Sequence, residues 1–152
     1  MNSFRLTFIV FLFISGNCLA QTESDAIKAV IDQLFDGMRK GDSAMVHRSF
    51  VDDVQMQTIV MSEKNWAKNV ITSSLTSFLD AVGTPHAEVW DEQVKEYKIT
   101  IDGALAAVWA PYEFYRGDTF SHCGVNSFQL AKLNGEWKII YLVDTRKREG
   151  CS

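Results

Sequence analysis

The sequence predicts an α+β protein in which helices come first and a strongly curved antiparallel sheet follows. Two observations carry this expectation. The last third of the chain holds three tight-turn dipeptides, Asp102-Gly103, Gly117-Asp118 and Asn134-Gly135, each between stretches rich in Val, Ile, Trp, Tyr and Phe. Such dipeptides supply the positive φ angles that two-residue hairpin loops need, so residues 88 to 145 are expected to form a four-stranded meander. Upstream, the apolar residues recur at helical spacing instead.

The first twenty residues are expected to be a secretion signal. Arg5 gives a positive start, Leu6 to Ile14 is an apolar run too short to span a bilayer, and Cys18-Leu19-Ala20 offers small residues before Gln21. Acylation of Cys18 is the weaker alternative, because Asn17 stands where a lipid-attachment site wants Gly or Ala. Removing residues 1–20 leaves one domain of 132 residues (21–152), with 14 basic groups against 19 acidic ones. That acidic balance argues against a nucleic-acid partner, and no second apolar stretch is long enough to cross a membrane. Cleavage also leaves Cys123 and Cys151 as an even pair in an oxidising compartment, periplasmic or extracellular, where a disulfide stapling the tail to the sheet is expected.

Ile27, Val30, Ile31, Leu34, Phe35 and Met38 mark one face of a helix over residues 25–40, with Thr22 and Asp25 suited to a capping box and Gly41 to its stop. Asp42 can cap a short second helix to about Arg48, and Val54 to Val60 reads as a short strand. A third helix is expected from Ser62, with Trp66, Val70, Ile71, Leu75, Phe78, Leu79 and Val82 on its apolar face, ending at Gly83-Thr84-Pro85. In the first long strand the apolar positions change parity between Trp90/Val94 and Tyr97/Ile99/Ile101, which predicts a β-bulge near Lys95 or Glu96.

With two-residue turns, register follows by counting. Glu113 then faces His122, Trp109 faces Asn126, and Phe128 faces Tyr141. One sheet face is expected to carry Trp109, Glu113, His122, Asn126, Phe128 and Tyr141. The other is expected to carry Val108, Tyr112, Phe114, Cys123, Val125 and Leu142. Since both are apolar, one is expected to pack on the helices and the second to meet another copy of the chain in a homodimer.

The order helix, Gly41-Asp42, short helix, Phe50-Val51-Asp52-Asp53, strand, long helix and meander, with Gly135-Glu136-Trp137-Lys138-Ile139 near the end, resembles the nuclear transport factor 2-like superfamily. That superfamily includes the SnoaL-like cyclases, scytalone dehydratase and ketosteroid isomerase. The stretches His122-Cys123-Gly124-Val125-Asn126 and Leu142-Val143-Asp144-Thr145-Arg146 look more like its secreted bacterial members labelled "putative lumazine-binding". The resemblance implies a cone, a bent sheet wrapped around helices with a pocket inside, which superfamily members use for isomerisation, dehydration, cyclisation or binding alone. It does not carry the steroid isomerase chemistry over. The position of that enzyme's carboxylate base falls on Thr58 and that of its oxyanion tyrosine on Leu34, neither of which can do the same work.

A ligand site is expected on the face with Trp109, Glu113, His122, Asn126 and Tyr141, with Trp66 near its mouth. Three polar groups among aromatic rings are the usual makeup of a small-molecule pocket. His122 and Glu113 are the candidate acid–base pair, although such a pair can equally satisfy itself. His122 and Cys123 are strand neighbours pointing to opposite faces, so they cannot form a nucleophile–base couple. The three histidines show no metal-ligand spacing, no phosphate-cradling glycine loop is present, and no cofactor is expected. Three readings stay open: binding of a small, partly aromatic or apolar ligand; a metal-free lyase or isomerase; and a dimerising interaction module whose cone is filled by side chains.

Overall fold

The computed structural model describes residues 15–62 and 66–151, so the first fourteen residues of the expected leader lie outside the described residues. Helix α1 (Ser15–Lys40) carries the predicted apolar stripe, with Ile27, Ile31, Leu34, Phe35 and Met38 all buried. It runs through the expected cap at Thr22 because nothing between Asn17 and Asp25 breaks a helix. It stops where predicted: Gly41 takes φ +64°, the Gly41 N–H bonds Met38 O and the Asp42 N–H bonds Gly37 O. The Asp42 carboxylate then accepts from the Met45 N–H at 2.8 Å and caps α2 (Ser43–His47).

Strand β1 (Phe50–Met61) is longer than expected, and the third helix is corrected. Its first half is a strand, β2 (Ala67–Ser73), paired antiparallel to β1, and only the second half is helical, α3 (Leu75–Gly83). The β-branched run Val70-Ile71-Thr72 explains the switch, since such side chains favour a pleated surface. Ser74, whose hydroxyl accepts from the Ser77 N–H, is the true N-cap of α3. Val70 and Ile71 are exposed, while Leu75 and Val82 are buried.

The meander is present, with its first strand divided into β3 (Trp90–Val94) and β4 (Lys98–Asp102). Both pair with β5 (Leu105–Arg116), followed by β6 (Thr119–Leu133) and β7 (Glu136–Arg146). The predicted parity change is thus a break, not a single-residue bulge. Tyr97 lies in the gap and donates to Asp32 of α1 at 2.7 Å, while Lys95 N–H bonds the carbonyl of Pro111, which has no N–H of its own to give. The sheet order is β2-β1-β7-β6-β5-β3, with β1 parallel to β7.

Two bulges overturn the counted register. All three turns are two-residue loops, the first shifted by one residue to Gly103-Ala104 because Asp102 still pairs with Leu105. Ser121, however, is extra between Tyr115↔Phe120 and Phe114↔His122, and Ile140 is extra between Leu130↔Ile139 and Gln129↔Tyr141. Each extra residue reverses which face the following positions occupy. Glu113 therefore pairs with Cys123, Trp109 with Ser127, Asn126 with Ala110 and Asp144, and Phe128 with Val108 and Leu142.

The concave face holds Ala106, Val108, Ala110, Tyr112, Phe114, Phe128 and Leu130, packed as one core with the buried side of α1. Of the residues expected at a dimer interface, Val108, Tyr112 and Phe114 belong to this core, and Leu142 packs against it. Glu23 ties α1 to the far end of the sheet by accepting from Trp137 Nε1 at 2.7 Å and from the Lys132 ammonium. Cys123 and Cys151 form the expected disulfide, with Cα atoms 5.9 Å apart. No helix among the described residues is long and apolar enough to cross a membrane.

Candidate ligand site

The concave face and the helices enclose a cavity of about 330 Å³, large enough for a small organic molecule. Leu34, Phe35 and Met38 of α1 and Phe78 of α3 form one apolar wall, and Met56, Trp90, Phe114 and Leu142 of the sheet form the other. The exposed residues Ser73, Ser77 and Arg116 mark its opening.

Two carboxylates stand inside this apolar shell, each brought there by strand alternation. Glu92 follows Trp90 by two on β3 and accepts from the Asn126 amide at 2.6 Å. Asp144 follows Leu142 by two on β7, is buried, and accepts from the Thr58 hydroxyl at 2.6 Å and from Arg146 Nε at 2.8 Å. The buried Tyr112 hydroxyl lies 3.1 Å from the second Asp144 oxygen and 3.0 Å from Thr145 O, sharing one proton between them. Gly124, opposite Tyr112, makes this approach possible, because a Cβ there would stand 1.7 Å from Thr145 O.

The enclosure changes the charges. Burial pushes the Glu92 carboxyl up to about 7, reinforced by the Asp144 charge, although the Asn126 hydrogen bond and Arg146 oppose the rise. Burial and the nearby Arg146 lower the His122 imidazole to about 4, against the opposing pull of Asp144. The ring is neutral at physiological pH, lies tilted on Phe114 with centroids 4.9 Å apart, and has Ser121 Oγ 3.1 Å from Nδ1. Burial, with Glu92 and Asp144 nearby, raises the Tyr112 phenol so that it stays protonated.

His122 and Asn126 are thus the two sequence-predicted site residues that line the cavity. Glu113 does not face His122. It lies on the convex face, paired with Lys95 at 2.7 Å and accepting from the Tyr115 hydroxyl at 2.9 Å, which hold its carboxyl below the usual range. Trp109 is 51% exposed on the same convex face, and the Tyr141 hydroxyl donates there to Gln57 at 2.7 Å. Trp66 precedes β2, is 73% exposed and does not line the cavity. The Ser121 and Ile140 bulges account for Glu113 and Tyr141, and the strand in place of a helix accounts for Trp66.

Sequence reasoning missed Glu92, Asp144, Tyr112 and Arg146. Glu92 carried a usable signal, an acid alternating with Trp90 and Val94 in a strand expected to be half-buried. Thr58 and Leu34 also line the cavity. The site offers a carboxyl that titrates near neutrality, a neutral imidazole, an amide and a fixed guanidinium–carboxylate pair around an apolar slot. Such a set can read the polar edge of a flat molecule, or move one proton on it. Among the described residues, no group of three or more His, Cys, Asp or Glu is placed to hold a metal ion.

A bent sheet closed on its helices around a cavity defines the nuclear transport factor 2-like class. Solved structures share it at low identity. They include a nuclear transport factor 2-like protein of unknown function from Shewanella baltica (16% identity, 85% of this chain and 97% of that one, TM-score 0.63). A protein described as a "putative scytalone dehydratase" from Novosphingobium aromaticivorans matches at 14% identity over 84% and 86% of the two chains, TM-score 0.68. The β subunit of a "putative aromatic-ring-hydroxylating dioxygenase" from the same organism matches at 16% identity over 85% and 92%, TM-score 0.68. No curated protein matches the sequence. The family model described as "Putative lumazine-binding" matches residues 22–143, and the chain belongs to that family.

Proposed function

We propose that the chain is a secreted binding protein that holds a small, partly aromatic molecule in the cone, its ring against the apolar walls and its polar edge on Glu92, Asn126 and His122. The observation that carries this reading is the cavity itself, about 330 Å³ of open space with convergent polar groups at one side. A core filled solidly by side chains would have favoured the interaction-module reading. Lumazine, the ligand in the family's name, is a flat two-ring heterocycle with amide-like edges, the pattern that a carboxamide and a protonated carboxyl can read. Cleavage before Gln21 and export fit the disulfide and the apolar start of the sequence. In this reading two copies pair through the convex face around Leu105 and Trp109, each about half exposed.

A second reading is favoured by one observation. Glu92 is poised near neutrality inside the cavity, as a general base or acid for an isomerase or lyase requires, and it replaces the Glu113–His122 pair in that role. Titrating lumazine against the protein and following Trp90 quenching tests the ligand class, with Trp90→Phe identifying the reporter. Saturable quenching at micromolar lumazine supports binding. No quenching up to millimolar rejects this class of heterocycle. Proton exchange at a ligand carbon, abolished in Glu92→Gln, would favour the enzyme.

A further inference from the structure

Arg116 has two neighbourhoods. It lines the opening of the cone, and it also lines an adjoining open groove with Glu88, Thr119, Phe120, Ser121 and Arg148. Neither Arg116 nor Arg148 makes an ion pair among the described residues, whereas Arg146 is committed to Asp144 at 2.8 Å. Both free guanidinium groups lie close enough to His122 to disfavour its positive charge. Arg148 is held beside β6 by its neighbours: Lys147 bridges Cys123 through two backbone hydrogen bonds, and Cys151 closes the disulfide to the same residue. The groove thus carries two guanidiniums against one carboxylate, and two hydroxyls share its lining.

We propose that the ligand of the cone is an anion, an aromatic body inside with a carboxylate, sulfonate or phosphate arm reaching out to Arg116 and Arg148. Guanidinium groups bind such oxyanions with charge-assisted, often bidentate hydrogen bonds, and the Thr119 hydroxyl can donate to a remaining oxygen. A ring seated against Trp90 and Phe114 points a short substituent toward this groove, because Arg116 is common to both spaces. The inference rests on the cone being a ligand site, and its test separates the two claims.

The test compares two fluorescent probes with the same rings, N-phenyl-1-naphthylamine and its sulfonated relative 1-anilinonaphthalene-8-sulfonate, on the disulfide-bonded protein. The sulfonate should bind about tenfold or more tighter, as one added charge-assisted contact predicts. In Arg148→Ala and in Arg116→Ala the ratio of the two affinities should fall toward one, and 0.5 M salt should compress it in the parent protein. Equal affinity of the two probes in the parent, or a ratio untouched by either substitution, overturns the anion site while leaving the cone as a pocket. Failure of both probes to bind overturns the pocket and the anion site with it.

Discussion

Replacing Glu92 with Gln keeps the shape of the side chain and its acceptor for the Asn126 amide, and removes only the titration. In the folded protein the carboxyl titrates at about 7 rather than at 4.5. A carboxyl raised in this way favours the folded state fully below about pH 4.5, and that contribution is lost as pH rises through 7. At about 1.4 kcal/mol per pH unit, the gap makes the charged form cost about 3 kcal/mol at pH 8. Glu92→Gln should therefore gain on the parent protein by about 3 kcal/mol between pH 4.5 and 8. His122 works in the opposite direction. Its folded value is lowered from 6.5 to about 4, so its contribution is present above pH 6.5 and is lost as pH falls toward 4. From about pH 4.5 to 6.5 the two slopes oppose each other in the parent, and the variant should show the histidine slope alone. Urea unfolding at half-unit pH steps gives both curves. A stability difference between variant and parent that does not change with pH would refute the burial argument for Glu92.

Asn126→Leu removes the donor to Glu92, so it should destabilise by about 1–3 kcal/mol, more above pH 7 than below pH 5, in the same urea experiment. If the amide also orients the ligand, affinity should fall about tenfold or more. Trp109→Lys places a charge on the convex face and should convert a dimer to monomer by sedimentation without loss of fold, whereas Tyr112→Lys would strike the core. Cys151→Ser opens a loop with a sequence separation of 28 and should lower stability by roughly 3 kcal/mol, read as a drop in thermal midpoint.

Turn chemistry was the most legible feature of the sequence. Asp102-Gly103, Gly117-Asp118 and Asn134-Gly135 located β5, β6 and β7, and Gly41-Asp42 located the stop of α1 and the cap of α2. Facing was not legible, because it depends on single unpaired residues with no composition of their own. Ser121 and Ile140 look like ordinary strand residues, yet each reverses the face of everything beyond it. His122 and Asn126 still reached the cavity because they lie on the same side of both bulges, with an even spacing between them. Glu113, across the Ser121 bulge from His122, did not. The segment Trp66–Ser74 failed for a different reason: its apolar spacing suits a helix, but β-branching and an open edge on β1 decide for a strand.

Native mass spectrometry of the protein purified from its own host shows whether the cone holds a ligand. A retained small molecule is expected, one per chain, on a mature chain beginning at Gln21, with occupancy reduced in Asn126→Leu. A bare mature mass under conditions that preserve the fold, together with no ligand gained on incubation with a host extract, would contradict it.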